Sequence, residues 1–403
     1  MKQIICGNDN RKVFSLKGLN ELFRQDISEG VRRVIRTLLN GFMEIERDEF
    51  IECKRGESVC GEKEYRNGYY KRTLRTCFGL IRGLKVPRTR SGRFYPSLLE
   101  KGKHIASHTA EGIARMYLRG VSTHKVADVL EGLLGFRVSS SFVSTITKKL
   151  DQDVKAFFKR RIGDTIKILI LDGIYLRSKN VLGSRKRPVL VAYGIHDNGR
   201  RELLHFRLAK NESEQSWTNM LNELYNKGLV GDNLELICSD GCPGLIAAIE
   251  TVYPYTNHQL CWAHKMRNVT KYCKKEYLHQ CKKHAQNIYY AKNKKAAVAA
   301  FKSFKRTWET RCPKAVKCIE KDLERLLAFF DLPSPIWKKV RTTNVIERIF
   351  GEVRRRTKII GAFPNDQSAA RMIYALFAYF NSKWVRKTTF INLYYKNKPL
   401  FVA

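Results

Sequence analysis

The spacing of apolar residues changes several times along the chain, and each change predicts a different kind of element. From about Ser15 to Glu52, apolar residues recur every three or four positions, which predicts helix. From Tyr65 to Arg88 they alternate, which predicts a β-hairpin, with turn residues at Phe78-Gly79 inside it and at Asn67-Gly68 before it. Short runs with helical spacing follow from His108 to Leu150. The first part of the chain is therefore predicted to be mainly helical, with one small β-unit.

The short helices predicted between 108 and 150 are arranged like a helix-turn-helix. Ser122 and Ser139 stand where a side chain can cap the second and the third helix. The third helix would present polar and basic side chains to a DNA groove, namely those of Ser140, Ser144, Lys148 and Lys149. Any packing of three helices gives a similar periodicity, so a helical linker without DNA contacts is the alternative interpretation.

A pattern of strands alternating with helices begins at Asp164. Strands are predicted at 166–176, 187–196, 200–209, 234–239 and 257–262, and helices at 212–228 and 244–253. The order β-β-β-α-β-α-β is that of a ribonuclease H-like fold, an α/β class with a mixed five-stranded sheet whose first and fourth strands are neighbours. A lysine-rich helical stretch at 265–340 interrupts this core and is interpreted as an α-helical insertion.

Three acidic residues occupy places that this fold would bring together. Asp172 lies in the first strand, Asp240 ends the fourth, and Glu347 lies on a helix that begins near Thr343 or Asn344. Such carboxylates supply the oxygen ligands that Mg²⁺ prefers, and two ions held in this way assist phosphodiester cleavage. An Asp-Gly pair after a strand is more often only a turn. Two aspartates in this strand order, together with a helical glutamate, favour a catalytic site instead.

Two features near these acids leave alternatives open. Glu352 is a rival third ligand, although it lies about 140° around the helix from Glu347. Cys261 and His264 could seed a zinc site with cysteines and histidines downstream. Alternatively, this pair positions an active-site group or contacts DNA.

Charge indicates which phosphodiester is the substrate. The chain has 76 Lys and Arg against 38 Asp and Glu, a net charge of +38 and a pI near 9.9, so a polyanion is the expected partner. A generically basic surface is the alternative, but 43% apolar residues are enough for a substantial core, and several domains are expected.

Other features of the composition bear on location. No run reaches the roughly 18 apolar residues that span a bilayer, and the first residues lack the apolar core of a signal peptide. We therefore expect a soluble, cytoplasmic protein with no membrane partner, associated with the nucleoid when it is bound to DNA. The eleven irregularly spaced cysteines are predicted to be reduced thiols.

Short motifs along nearly the whole chain together resemble those of the Mutator-type DDE transposases of prokaryotic insertion sequences. The motifs are RNGYYKRTL at 66–74, VPR at 86–88, GVST at 120–123, LDGIYL at 171–176, NESE at 211–214, DG at 240–241, QLCWAH at 259–264, RN at 267–268, TTNVIER at 342–348 and FPND at 363–366. The chain departs from the common pattern at Gly173, where alanine is frequent, and at Arg348-Ile349-Phe350. Neither departure removes an acidic residue.

The resemblance implies that Asp172, Asp240 and Glu347 are a catalytic triad that binds two divalent metal ions, Mg²⁺ with Mn²⁺ able to substitute. Cys261 and His264 match the family's short signature beyond the second aspartate. The implied activity is cleavage at the ends of the element, releasing a 3′-hydroxyl that then attacks target DNA at the same site. The implied partners are double-stranded DNA, as terminal inverted repeats and target, and further copies of the chain in a homodimer or larger assembly.

Basic and polar residues beside the triad are predicted to hold DNA. They are Arg267, Asn344, Arg348, Arg354, Arg355 and Arg356. Two other functions remain open, a catalytically silent DNA-binding regulator derived from such a transposase and a ribonuclease H-like structure-selective nuclease.

These predictions divide the chain into six segments. They are an N-terminal helical region at 1–62, a basic β-unit at 63–107, a helix-turn-helix-like DNA-binding domain at 108–160, the ribonuclease H-like core at 161–264, the insertion at 265–340, and the second part of the core with C-terminal helices at 341–403.

Overall fold

The computed structural model describes residues 27–56, 64–180 and 183–385 of the 403-residue chain. Residues 15–26 of the first predicted helix and the end of the predicted C-terminal helices, 386–403, lie outside the described residues. The chain divides into two compact units, the first ending at Lys148 and the second beginning at Lys149. The finer division into six segments remains a prediction.

The first unit contains a long helix, a β-hairpin and three short helices. Their bounds are α1 Ile27–Gly56, β1 Arg66–Thr76, β2 Gly79–Thr89, α2 Ser107–Leu118, α3 Thr123–Leu134 and α4 Ser140–Thr147. Helix α1 packs on β2, and Met43 of α1 shares a small apolar cluster with Leu74, Leu84 and Val86 of the hairpin. Alternate residues of the two strands are buried in this cluster, which explains the alternating pattern in the sequence.

The hairpin turn differs in part from the prediction. Thr76 pairs with Gly79, so the turn consists of Cys77 and Phe78. Asn67-Gly68 does not form a turn but lies within β1, where the register shifts between Arg66 and Tyr69 and Gly68 has a φ of +61°. A bulge and a tight turn both require this left-handed conformation, which is why the sequence signal was ambiguous.

Helices α2, α3 and α4 contact one another, as predicted for a three-helix arrangement. The predicted caps are confirmed, since Ser122 accepts a hydrogen bond from the amide of Lys125 and Ser139 accepts one from the amide of Phe142. The role of these helices in DNA binding remains a prediction.

The second unit is built on a mixed five-stranded sheet. Its elements up to the last strand are α5 Leu150–Lys159, β3 Ile166–Asn180, β4 Gly183–His196, β5 Arg201–Leu208, α6 Glu214–Asn226, β6 Leu236–Ser239, α7 Pro243–Val252 and β7 His258–Leu260. The strand order is β5-β4-β3-β6-β7, with β3 antiparallel to β4 and parallel to β6. The predicted strand sequence and the predicted adjacency of the first and fourth strands are confirmed.

One face of this sheet packs on α6 and α7. Trp217, Met220 and Leu221 of α6 and Leu245 of α7 are buried against sheet residues such as Leu169. The other face contacts aromatic residues, with Phe206 of β5 lying 5.3 Å from Phe377 between ring centroids. Because β3 and β6 are covered on both faces, they appear in the sequence as nearly continuous apolar runs.

Helices fill the rest of the unit. They are α8 Trp262–Tyr272, α9 Leu278–Tyr289, α10 Lys294–Trp308, α11 Pro313–Glu320, α12 Leu323–Leu327, α13 Trp337–Val340, α14 Asn344–Ile360 and α15 Asp366–Val385, with short 3₁₀ turns at Lys275–Tyr277, Ala328–Asp331 and Ser334–Ile336. The stretch predicted as a lysine-rich helical insertion is thus helical. None of the helices in the described ranges has the length and apolar character needed to span a bilayer.

Candidate active site

The pairing of β3 with β6 brings two of the three predicted acids to the same level of the sheet. Leu169 pairs with Ile237 and Ile170 with Cys238 in the parallel register. Asp172 and Asp240 each lie two residues beyond the last of these pairs, where β6 ends and β3 continues beside β4. Side chains two residues apart point to the same face of a strand, so this register explains how residues distant in sequence become neighbours.

Asp172 is the buried member of this pair. Asp172 is only 5% exposed, and its Oδ1 accepts a hydrogen bond of 2.8 Å from the amide of Gly173. Oδ2 is buried without a hydrogen-bond partner. Burial, and then the charge of Asp240, raise the pKa of Asp172 to about 6, while the Gly173 amide, His264 and the Thr343 hydroxyl oppose this shift. The Thr343 hydroxyl is thus near the carboxylate, but its hydrogen bond goes to Cys261 and leaves Oδ2 without a partner at hydrogen-bond geometry. An unpartnered carboxylate oxygen next to a second carboxylate is suited to binding a cation.

Asp240 has a local anchor. Its Oδ1 accepts a hydrogen bond of 3.0 Å from the amide of Cys242, which closes the turn between β6 and α7. Gly241, with a φ of +89°, supplies the left-handed residue that this turn requires. This hydrogen bond orients the Asp240 side chain and does not involve its second oxygen, Oδ2.

Glu347 lies in the first turn of α14, as predicted, but it is held by a cation. Its Oε1 accepts a hydrogen bond of 2.6 Å from Nη2 of Arg267 and lies 3.7 Å from Nε2 of His264. The neighbouring residues Ile346 and Phe350 are buried, which directs Glu347 away from the core. His264 also lowers the pKa of Asp172 through its charge, although this effect is smaller than those of burial and of Asp240. His264 therefore interacts with both Asp172 and Glu347.

Cys261 connects the helix after β7 with the helix that carries Glu347. Its buried Sγ accepts hydrogen bonds from the amide of Thr343 at 3.3 Å and from the hydroxyl of Thr343 at 3.5 Å. The next amide, that of Trp262, donates to the carbonyl of Arg341. Thr343 is the N-cap of α14, but its side chain makes no capping bond because the hydroxyl points to Cys261. Cys261 therefore positions α14.

Glu212 is a further acidic residue near the site, and sequence reasoning assigned it no role. An ideal Cβ placed on Gly173 would lie 2.2 Å from its Oε1. Burial and the charge of Asp240 raise the pKa of Glu212, while a hydrogen bond from Tyr175 opposes that shift. The signal was present in the NESE motif, which follows the third strand at 211–214.

The predicted DNA contacts differ in accessibility. In the first unit, Ser140 and Ser144 are partly exposed and Lys148 is exposed; in the second unit Lys149, Arg267, Asn344, Arg348, Arg354 and Arg355 are exposed. Arg356 is only 4% exposed and donates to the Glu352 carboxylate through Nη1. A buried, paired guanidinium cannot serve as a surface contact, so Arg356 stabilises α14 and the prediction of a DNA contact is wrong for this residue.

The donor set around Asp172 fits a hard divalent cation better than zinc. Within the described ranges, no three acidic, histidine or cysteine side chains stand close enough to hold a metal ion together, and Glu347 is engaged by Arg267. Cys261 is used by Thr343, and His284 accepts a hydrogen bond from the indole of Trp308. Asp172 and Asp240 offer carboxylate oxygens, the type of ligand that Mg²⁺ prefers.

Comparison with known proteins identifies the family. The family model described as "Transposase, Mutator family" matches residues 10–387. The chain is 34% identical over 365 residues to the transposase for insertion sequence element ISRM5 of Rhizobium meliloti, covering 91% of each protein. It is 31% identical to the transposase for element IS905 of Lactococcus lactis, covering 89% of this chain and 91% of the relative.

Other matches agree. The chain is 30% identical to the transposase for element IS256 in transposon Tn4001 of Staphylococcus aureus, covering 92% of this chain and 96% of the relative. The solved Drosophila P element transposase strand transfer complex is matched at 13% identity and a TM-score of 0.30, over 72% of this chain and 83% of that chain, a similarity too low to bear on the fold. The family model and the relatives cover nearly the whole chain, and the protein belongs to the Mutator family of transposases.

Proposed function

We propose that this transposase binds the ends of an insertion sequence and cuts and joins DNA at Asp172, Asp240 and Glu347, within a ribonuclease H-like core. The observation that carries this proposal is the buried Oδ2 of Asp172, which has no hydrogen-bond partner and lies beside the charge of Asp240. A protein that gained nothing from these carboxylates would not keep such a costly arrangement. The strand order β5-β4-β3-β6-β7 supports the assignment of the core.

Asp172 and Asp240 would hold divalent cations, Mg²⁺ or Mn²⁺, and Glu347 would complete the site. Two such ions would lower the pKa of an attacking water or hydroxyl and stabilise the charge that develops on the phosphate. In the structure Glu347 is paired with Arg267, so we propose that it exchanges this partner for the cation. Cys261 and His264 then act as positioning residues, the first by anchoring Thr343 and the second by standing next to Glu347.

Basic side chains supply the path for DNA. Arg348, Arg354 and Arg355 are exposed on the same helix as Glu347 and can reach phosphates on either side of the cut. Arg267 would be free for the same purpose once Glu347 leaves it. In the first unit, α4 would enter a groove with Ser140 and Ser144 and contact phosphates with Lys148. In the second unit, Lys149 would contact phosphates.

Two further features follow from the proposed reaction. Joining both ends of an element requires that they be held together, so a homodimer or larger assembly on DNA is expected. Because the proposed substrate is DNA and the chain is strongly basic, we propose that it acts in the cytoplasm, at the nucleoid.

The test is cleavage of a labelled duplex that carries the element's terminal repeat, with Mg²⁺ or Mn²⁺. Asp240→Asn and Glu347→Gln remove one charge each without a change of shape, and Glu250→Gln removes a charge from an exposed pair on α7 outside the proposed site. We expect metal-dependent cutting by the parent and by Glu250→Gln, and loss of at least a hundredfold in the other two with DNA binding retained. Binding without cutting in the parent would indicate a regulator instead, and cutting anywhere along branched DNA would indicate a nuclease.

A further inference from the structure

A cavity of about 390 Å³ opens beside the first turn of α14. Buried residues of the sheet and of α8, including Ile170, Tyr193 and Trp262, form its floor. Its rim is formed by Tyr290, Arg341 and Arg348. This size is at the lower end of pockets for small organic ligands, so it admits one nucleotide and excludes a duplex.

Aromatic rings are arranged in series along one wall of the cavity. The ring centroids of Trp262 and Tyr289 are 4.8 Å apart, and those of Tyr289 and Tyr290 are also 4.8 Å apart. Trp262 is fixed by a hydrogen bond from its indole nitrogen to the carbonyl of Leu326. Tyr290, at the end of the series, is 64% exposed. The Tyr290 ring is contacted by Tyr289 but remains largely exposed, so it offers a surface on which a further flat ring can stack.

The same wall is strongly cationic. The guanidinium of Arg341 lies 4.6 Å from the ring centroid of Tyr290 and 5.1 Å from that of Tyr289, and it donates to the carbonyl of Tyr289. Lys338, Lys339, Arg201 and Arg348 also line the cavity, and none of the described lining residues is acidic. The amino terminus of α14 adds its partial positive charge. The site therefore favours a ligand with both a flat ring and a negative charge.

The cavity shares α14 with the candidate active site. Asn344 and Arg348, four residues apart on one face of the helix, line the cavity, whereas Glu347 contacts Arg267 and His264. The lining residues Asn344 and Arg348 thus lie within about one helical turn of Glu347 along α14.

We propose that this cavity holds one unpaired nucleotide of the DNA that the enzyme acts on. The base would stack on Tyr290, and the attached phosphate would contact Arg341 and Arg348. This inference rests on the proposed function, since it presumes that DNA is the substrate. Aromatic stacking together with cations is the chemistry by which proteins hold bases that have left a helix.

The test measures binding in EDTA, so that no DNA is cut. Two duplexes of one sequence are compared, each with a single bulged position that carries either 2-aminopurine or an abasic site. Both duplexes have the same backbone and the same bulge length, and only one offers a base. The parent is expected to bind the base-containing bulge about tenfold more tightly, and 2-aminopurine fluorescence should fall as the base stacks on tyrosine.

Tyr290→Ala should abolish this preference while leaving the affinity for fully paired duplex unchanged, and Tyr290→Phe should retain it. Tyr272→Ala is the matched control, because Tyr272 is 50% exposed and lies outside the cavity lining. Equal affinity of the parent for the two bulged duplexes would overturn the proposal, as would a preference that survives in Tyr290→Ala. Competition by free dAMP as effective as that by the bulged duplex would also overturn it, because the site would then be one for free nucleotides.

The two proposals fail separately. Cleavage that persists in Asp240→Asn and Glu347→Gln, with the base preference intact, would overturn the proposed function alone. Normal triad-dependent cleavage without a base preference would overturn only the nucleotide site.

Discussion

Arg267 donates from Nη2 to Oε1 of Glu347 over 2.6 Å, and this ion pair joins the helix that follows the last strand to the helix that carries the predicted third ligand. The Glu347 carboxylate is therefore already engaged by a cationic side chain. Arg267 and a metal ion would compete for the same oxygen. In the proposed site, this pair would hold Glu347 in place before DNA and metal bind, and it would weaken metal binding.

Removing this competitor should change metal affinity. In Arg267→Gln we expect Mn²⁺ to bind about threefold more tightly by calorimetry, a modest effect because the arginine side chain is 54% exposed and its charge is screened. Arg354→Gln, which removes a charge from an exposed position on α14, controls for the overall loss of positive charge. If Mn²⁺ bound more weakly to Arg267→Gln, the pair would be a support for the metal site and not a competitor.

Asp172→Asn should stabilise the metal-free protein while it abolishes cleavage. The carboxylate is buried, has an unpartnered oxygen and is repelled by the charge of Asp240, whereas an amide at the same place carries no charge. Relief of an unpaired buried charge is worth on the order of 1–3 kcal/mol, and each kcal/mol raises Tm by about 2–4 °C in a domain of this size. Thermal unfolding of both proteins in EDTA measures the effect.

The same experiment contains its own control. Mg²⁺ should raise the Tm of the parent but not that of Asp172→Asn, because the cation would relieve the same repulsion. Asp322→Asn, which removes the carboxylate partner of Lys265, should leave Tm unchanged or lower it. A lower Tm for Asp172→Asn in EDTA would mean that the carboxylate is satisfied in a way the geometry does not indicate.

Cys261→Ala should loosen α14. The substitution removes the acceptor of two hydrogen bonds from Thr343, and leaving these buried donors unpaired costs about 1–3 kcal/mol. We expect a lower Tm and cleavage reduced by about tenfold, since a small displacement of a ligand is costly to catalysis. Cys238→Ala, at an equally buried cysteine, controls for the lost sulfur volume. Equal cleavage by the two variants would remove the positioning role from Cys261.

Most of the secondary structure could be predicted from the sequence because it depends on residues that lie close together in the chain. The serine caps at Ser122 and Ser139 formed as predicted since a cap depends on only three or four residues. The adjacency of β3 and β6 also followed, because a fold with this strand order has few alternatives. From this adjacency alone, Asp172 and Asp240 could be predicted to be neighbours, and the parallel register of β3 and β6 agrees.

What the sequence could not supply were contacts between distant side chains. The bond between Cys261 and Thr343 and the pair of Arg267 with Glu347 join residues about 80 positions apart. Burial of Arg356 could not be predicted either, because a run of three arginines normally indicates a solvent-exposed face of a helix. Only the packing of α14 shows that one of the three points inward. Stacking of Arg341 on Tyr289 and Tyr290 is of the same kind.

Gly173 leaves room for Glu212, and two substitutions test this relationship. An added Cβ would lie 2.2 Å from the Glu212 carboxylate, but that carboxylate ends a flexible side chain, so Gly173→Ala should fold with nearly unchanged Tm. Burial and then Glu212 raise the pKa of Tyr175. Gly173→Ala and Glu212→Gln should therefore both lower the Tyr175 pKa in an NMR titration of ring-labelled tyrosine. A shift in Glu212→Gln alone would show that the carboxylate stays in place beside the new methyl group.

Glu202 should make the second unit sensitive to acid. Burial opposes its ionisation, but a hydrogen bond from His196 and the charge of Arg160 outweigh burial and lower the pKa to about 2. A carboxylate with a lowered pKa in the folded state stabilises that state above its unfolded pKa, near 4.5, and this contribution is lost as pH falls towards 2.

Urea unfolding of the parent and of Glu202→Gln should therefore differ by on the order of 3 kcal/mol at pH 7. The difference should shrink steadily below about pH 4.5. Glu250→Gln, at a surface pair with Arg325, should change stability by less than about 1 kcal/mol at either pH. A difference between parent and Glu202→Gln that stayed constant with pH would mean that the stabilisation comes from the shape of the side chain and not from its charge.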